Sequence, residues 1–204
     1  MNFKKCVMLY NISINPNEDC IYYYLNYYKW NDVKDLPKTD QKYRNHNLIY
    51  EFKNGRYLYT NPLTYFKKCI NNSLTMNDEW HVCVIPNHNQ VGNNHSNNIT
   101  KLLDYCNLKS NFLREYDTII RTRETAAKHN VAEYGSRDFN KDLETLIINP
   151  KKQVQGKNYI VFDDVATSGA SMKAAEILLK GAGANKVVCI VLGKTMGDEY
   201  YGQF

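Results

Sequence analysis

From Trp80 onward, apolar runs alternate with segments whose apolar residues recur at helical intervals. WHVCVIP (80–86), YIVF (159–162) and KVVCIVL (186–192) are short, continuously apolar and rich in β-branched residues. Such runs read as strands covered on both faces. Between them, SNNITKLLDYCNL (96–108) and Ser171–Lys180 carry a helical period. Strand–helix–strand alternation predicts βαβ units and a parallel sheet. The cleanest unit is YIVF, the helix Ser171–Lys180 and KVVCIVL, with Gly181 and Gly183 closing the helix. TIIRTR (118–123) predicts a strand opening into a polar loop. ETAAKHNVAEYGSRDFNKDLETLII (124–148) predicts a helix over 124–134 and a short strand over 144–148.

Residues 1–80 have a different texture, rich in Tyr, Asn and Lys. KKCVMLYNI (4–12) predicts a first strand. The alternating pattern over 43–59 predicts a hairpin turning at Asn54-Gly55. In NPLTYFKKCINNSL (61–74), Leu63, Phe66, Cys69 and Ile70 predict a helix. The aromatic cluster Tyr22, Tyr23, Tyr24, Tyr27, Tyr28 and Trp30 places 23, 27 and 30 on one helix face, which favours core or interface packing over base stacking. The expected organisation is an α/β core over 81–204 and an aromatic-rich N-terminal segment over 1–80, packed on it as a hood.

Composition narrows the class. With 204 residues, 43% of them hydrophobic, the chain can build one full core, or a core with a small appended subdomain. A net charge of +5 suits an anionic small ligand and falls short of a dedicated DNA binder. No apolar run reaches the roughly 18–20 residues of a membrane span, and the first residues lack a secretory pattern, so a cytoplasmic location away from membranes is expected. Cys6, Cys20, Cys69, Cys83, Cys106 and Cys189 show no zinc-ribbon spacing. Cys83 and Cys189, inside apolar runs, read as small buried hydrophobes.

The chemistry concentrates in YIVFDDVATSGASM (159–172). If Tyr159–Phe162 is a buried parallel strand, Asp163 and Asp164 emerge at its carboxyl end, where open α/β sheets bind ligands. The following loop leads into a helix, and its amides with the Thr167, Ser168 and Ser171 hydroxyls suit an anion. Two carboxylates beside an anion seat repel a bare phosphate. A bifunctional ligand removes the conflict: its phosphate occupies the loop, and its cis-diol donates hydrogen bonds to the acids, which can also hold Mg²⁺ through water. A helix cap with a spare surface acid accounts for one carboxylate and one hydroxyl, not for the whole composite. Rival motifs fail. Gly193-Lys194-Thr195 matches the end of a P-loop, but Val188 stands where its first glycine belongs. Gly181-Ala182-Gly183 has Lys186 in place of the third glycine of a dinucleotide fingerprint.

YIVFDDVATSGAS resembles the phosphoribosyl-diphosphate (PRPP) binding motif of type I phosphoribosyltransferases: four apolar residues, two acids, an apolar residue, any residue, then Thr-Ser/Thr-Gly-x-Ser/Thr. The resemblance implies a type I phosphoribosyltransferase-like (Rossmann-like) α/β fold, a mostly parallel sheet flanked by helices. It implies that Asp163 and Asp164 hold the ribose hydroxyls while Ala166, Thr167, Ser168, Gly169, Ala170 and Ser171 wrap the 5-phosphate. WHVCVIPNHNQVGNNHSNNITKLL is similar to the strand and pyrophosphate loop of ComF-like members, which makes Pro86, Asn87, His88 and Asn89 pyrophosphate-loop candidates. IIRTRETAAKHNVAEYGSRDFN is similar to their Arg-rich segment. The chain departs from that pattern in having His88 and Asn89 where basic residues are common, and in lacking a preceding Cys cluster.

The implied reaction displaces pyrophosphate from C1 of PRPP by a nucleophile, usually a nitrogenous base, with Mg²⁺ as the expected cofactor. Asp163 and Asp164 are expected to oppose charge on the sugar, and Arg121 and Arg123 charge on the leaving pyrophosphate. Lys128 and Arg137 are lesser candidates. Arg121 and Arg123 also alternate along a strand, as solvent-facing charges do. The Asn pairs 93–94 and 97–98 read as capping and loop chemistry. The resemblance implies a small-molecule partner, PRPP or a nucleotide, and a homodimer. The competing expectations are a non-catalytic module that senses PRPP or a nucleotide and regulates a nucleic-acid or protein partner, and an enzyme that cleaves nucleotide N-glycosidic bonds.

Overall fold

Strand β7 (Asn158–Ala166) sits in the middle of a six-stranded sheet, paired on one side with β8 (Lys186–Met196) and on the other with β3 (Trp80–Val84). β2 (Cys20–Tyr28) and β1 (Lys5–Met8) continue the sheet beyond β8, and β4 (Phe112–Arg114) closes it beyond β3. Every pairing in this sheet is parallel. A separate two-stranded ladder, β5 (Ile119–Arg121) with β6 (Leu146–Ile148), is antiparallel. The computed structural model describes residues 5–9, 14–55, 61–87, 98–124 and 139–196, without the side chains of 139–141.

The helices are α1 (Trp30–Val33), α2 (Gln41–Asn54), α3 (Pro62–Ser73), α4 (Asn98–Tyr105), α5 (Phe139–Thr145) and α6 (Ala170–Gly181). Each face of the sheet carries its own core because strand side chains alternate. Ile160 and Phe162 of β7 pack with Ile49 and Phe52 of α2, Phe66 and Ile70 of α3, and Leu102 and Leu103 of α4. Tyr159 and Val161 point the other way, into a core with Met172, Ala175 and Leu179 of α6, and with Ile119 and Leu146 of the small ladder. Tyr159 through Phe162 are fully buried, as a strand covered on both faces requires. This is an α/β architecture, and the expected βαβ unit over 159–192 is present as β7, α6 and β8. Among the described residues no helix is long and apolar enough to cross a membrane.

Two expectations for the first 80 residues are corrected. Residues 41–54 form a helix rather than the arm of a hairpin. Asp40 caps it by accepting a hydrogen bond from the Lys42 amide at 2.7 Å, and His46, Ile49 and Phe52 turn inward at helical spacing. Gly55, at φ +60°, ends the helix in the left-handed conformation. An Asn-Gly pair marks a left-handed residue, and a helix C-cap needs one as much as a tight hairpin does. The tyrosines of the aromatic cluster form a strand, not a helix face, and Trp30 opens α1: Tyr22 and Tyr24 are buried in one core while Tyr23 packs against the other. Its β-branched and aromatic content favours a half-buried pleat, and β8 supplies the partner edge. The Tyr24 hydroxyl shares a 2.7 Å hydrogen bond with Ser73 Oγ of α3. Residues 1–80, expected as a hood, thus contribute two strands to the main sheet.

The helix expected over 61–74 is present as α3, and that expected over 96–108 as α4. The strands expected over 80–86, 118–123 and 144–148 are β3, β5 and β6, and that over 4–12 is β1. The helix expected over 124–134 lies outside the described residues.

The double-faced core makes Phe162→Ala costly, by about 3–5 kcal/mol in urea unfolding, since no neighbour can refill a site between two strands and a helix layer. Tyr24→Phe should cost about 1 kcal/mol in the same measurement, the net worth of one buried hydrogen bond.

Candidate functional site

The ladder between β3 and β7 stops at Val84 opposite Phe162, followed by an Ile85 amide to Phe162 carbonyl bond of 3.0 Å. On its other side β7 stays paired with β8 as far as Ala166 opposite Lys194. The last residues of β7 therefore keep a strand neighbour on the β8 side, while the β3 side opens. From β3 the sheet runs outward to β4, and from β7 it runs the opposite way to β8. The gap lies at that reversal, where open α/β sheets form their binding crevice.

A cavity of about 610 Å³ occupies the gap. Its lining includes Asp163, Asp164 and the whole run Val165 to Met172 from β7, the turn and α6. Ile85, Pro86 and Asn87 face it from the end of β3, Arg121 from β5, and Tyr27, Phe52, Lys53 and Thr195 from the N-terminal elements and β8. The acid pair and the 167–171 turn thus share one cavity wall.

The turn depends on Gly169, at φ +75°. That backbone conformation demands glycine, and an added Cβ would also stand 2.8 Å from Ile21 Cδ1, which would have to shift. Gly169 is also the N-cap of α6, which begins without a side-chain cap. That leaves the positive end of the helix dipole aimed at the cavity, favouring an anion there by about 0.3–1 kcal/mol. β8 braces the turn from below. The buried Lys194 ammonium donates to the Thr167 carbonyl, and Thr195 Oγ1 lies 3.4 Å from Thr167 Oγ1. Ser171 Oγ donates to Asp142 Oδ2 of α5 at 3.0 Å.

Lys53 and Arg121 set the electrostatics around the acids. Asp163 Oδ1 accepts from the Asp164 amide at 2.8 Å, and Asp164 Oδ1 from the Val165 amide at 2.6 Å. These bonds hold the carboxylates close to the strand end. Lys53, in the last turn of α2, places its ammonium 3.3 Å from Asp164 Oδ2. Burial pulls the Lys53 pKa down, but Asp164 and Asp163 more than offset that and raise it above the usual lysine value. Arg121 is buried, with Nη1 donating to Thr145 Oγ1 at 2.6 Å and Nη2 standing 3.8 Å from Asp142 Oδ1. Burial lowers its pKa against the attraction of Asp142 and Asp163, yet a guanidinium keeps its proton at any ordinary pH. Burial likewise pushes the Tyr27 hydroxyl up, opposed by Lys53 and assisted by Asp164.

The expected site residues fall into three groups. Asp163, Asp164, Ala166 through Ser171, Pro86, Asn87 and Arg121 line the one cavity. Arg123 is exposed, pairs with Glu144 at 3.1 Å and is not among the lining residues. His88, Asn89, Lys128 and Arg137 lie outside the described residues. Asn98 acts as a cap, though across the fold: its Nδ2 donates to the Phe52 and Lys53 carbonyls at 2.8 and 3.0 Å, fixing the end of α2.

Sequence reasoning missed Lys53, Tyr27, Asp142 and the bracing pair Lys194-Thr195. Lys53 and Tyr27 had no signal, because each reaches the cavity from an element whose type was misread. Lys194-Thr195 did have one, as a polar pair directly after the apolar run of β8.

Among the described residues no group of three or more His, Cys, Asp and Glu side chains could hold a metal ion. The acid pair offers two carboxylates, each with one oxygen taken by a neighbouring amide and with Asp164 Oδ2 facing Lys53. That donor set fits a hard cation such as Mg²⁺, which keeps several waters and takes further oxygens from a bound phosphate ligand.

The Arg121–Asp142 pair is buried on both sides, so removing one partner strands the other. Arg121→Met should destabilise the fold by about 3–5 kcal/mol in urea, and Arg121→Met with Asp142→Leu should recover much of that loss.

No protein-family model matches the chain. No curated protein matches it. Among solved structures the chain is similar to a hypoxanthine phosphoribosyltransferase from Staphylococcus aureus, at a TM-score of 0.39 and 10% sequence identity, covering 76% of each chain.

Proposed function

We propose that the protein is a phosphoribosyltransferase that binds PRPP and transfers its phosphoribosyl group to a nitrogenous acceptor, releasing pyrophosphate. The observation that carries this reading is the shared cavity wall, where two carboxylates stand at a strand end beside a helix start whose N-cap is a glycine. A phosphate alone is repelled by the acids, and a neutral sugar makes no use of the helix end. A pentose 5-phosphate uses both.

In this reading the 167–171 turn and the first turn of α6 hold the 5-phosphate, with Gly169 allowing close backbone approach. Asp163 and Asp164 accept hydrogen bonds from the ribose hydroxyls. As the C1–oxygen bond to pyrophosphate breaks, positive charge grows on the sugar and the carboxylates oppose it from fixed positions. The acceptor nitrogen forms the new bond to C1 and loses its proton, while the electron pair of the broken bond leaves with pyrophosphate. Mg²⁺, held through water by Asp163 and Asp164, would neutralise charge on the leaving group when bound. Arg121 contributes a permanent positive charge from the cavity wall, anchored by Asp142 and Thr145.

Calorimetry with PRPP and with ribose 5-phosphate, each with Mg²⁺, tests the pocket, and pyrophosphate release with a panel of acceptors tests turnover. Wild-type protein should bind both ligands and release pyrophosphate with at least one acceptor. Asp163→Asn combined with Asp164→Asn should abolish release while leaving the urea midpoint of a folded protein. PRPP binding without release for any acceptor would replace the enzyme by a PRPP-sensing module. No binding of either ligand would end the sugar-phosphate reading.

A further inference from the structure

Asp164 has its counterion from an unexpected source. Lys53 belongs to α2, on the face of the sheet opposite α6, and it lines the cavity and reaches Asp164 there. The backbone at its base is fixed, since Asn98 caps the Phe52 and Lys53 carbonyls and Gly55 ends the helix. Its side chain is 43% exposed, so a flexible stem carries the ammonium from a fixed anchor.

Of the other cations near the cavity, Lys29 lines it just past the end of β2 and is exposed, while two are committed elsewhere. Arg121 is buried against Thr145 and Asp142, and Lys194 is buried against the Thr167 carbonyl. A ligand that brings a diphosphate into this cavity brings more negative charge than those two groups can follow, because neither can move without breaking buried bonds. Lys53 can move. Its present partner is the same carboxylate that a sugar diol would engage.

Resting on the proposed PRPP reading, we infer that Lys53 is an exchangeable counterion: it neutralises Asp164 in the empty cavity and transfers to the diphosphate of the bound ligand, vacating Asp164 for the ribose hydroxyls. Lys53 is thereby a specificity determinant for the diphosphate, supplied by the N-terminal half of the chain. A ligand without the diphosphate must compete with Lys53 for Asp164 and offers it no equivalent place to go.

The two ligand classes should therefore respond to Lys53 with different signs. Calorimetry on Lys53→Met, with Mg²⁺ present, should show PRPP binding weakened by about tenfold or more, whereas ribose 5-phosphate binds no more weakly than to wild type. Lys53→Arg should restore most of the PRPP affinity, because it returns a mobile cation to the same anchor. A parallel loss for both ligands would overturn the inference in favour of a general structural role, as would unchanged PRPP affinity. If wild-type protein binds neither ligand, the underlying pocket reading fails. If it binds both and Lys53→Met leaves their ratio unchanged, the pocket stands and the exchange alone falls. Urea midpoints of the variants matching wild type ensure that a binding change reports on the site.

Discussion

The parallel pairing of β7 between β3 and β8 is the constraint on which the rest depends. A strand in that position must be apolar on both faces, and Tyr159 to Phe162 satisfy it completely. The same pairing sends all the strands the same way, so their carboxyl ends share one edge. β3 lets go of β7 at Phe162 while β8 holds on to Ala166. That unequal release opens the cavity directly beside the first polar residues of the strand. Polar side chains are tolerated there because the ladder ends and solvent begins.

The cavity then solves an electrostatic problem with parts from distant segments. Asp163 and Asp164 are adjacent negative charges in a partly buried place, a costly arrangement without compensation. Backbone amides take one oxygen of each, Lys53 faces another, and Arg121 adds a fixed positive field from β5. Arg121 is in turn held by Asp142, whose second oxygen accepts from Ser171 in the first turn of α6. The turn and the arginine are therefore mechanically linked through Asp142, and the arginine acts on Asp163 through its charge. Displacing Asp142 disturbs both, which ill suits a site whose chemistry needs fixed charges.

Residues 80–84, 98–105 and 159–192 were legible because their periodicities were unambiguous. A continuous apolar run followed by a helical pattern has one economical reading, and 159–192 folded as that reading requires. The first half carried signals that two structures share. Asn54-Gly55 marks a left-handed residue without saying whether a helix or a hairpin precedes it. Tyr23, Tyr27 and Trp30 match a helical interval, yet the continuous aromatic run around them fits a pleat flanked by two strands. Partners decided both cases: β8 offered an open edge to 20–28, and the face above it needed a helix to cover Leu192 and Ile190.

The candidate site divides along the same line. Asp163, Asp164 and the Thr-Ser-Gly-Ala-Ser turn lie within ten residues of one another, so chain connectivity alone brings them together, and the sequence by itself determined that an acid pair would stand beside a helix start. Lys53, Tyr27 and Asp142 come from elements far along the chain, and only the packing of α2, β2 and α5 around the sheet edge decided that they would meet it. Local chemistry follows from covalent neighbours. The charges that balance it follow from which surfaces must be buried together, and that is settled by the whole fold.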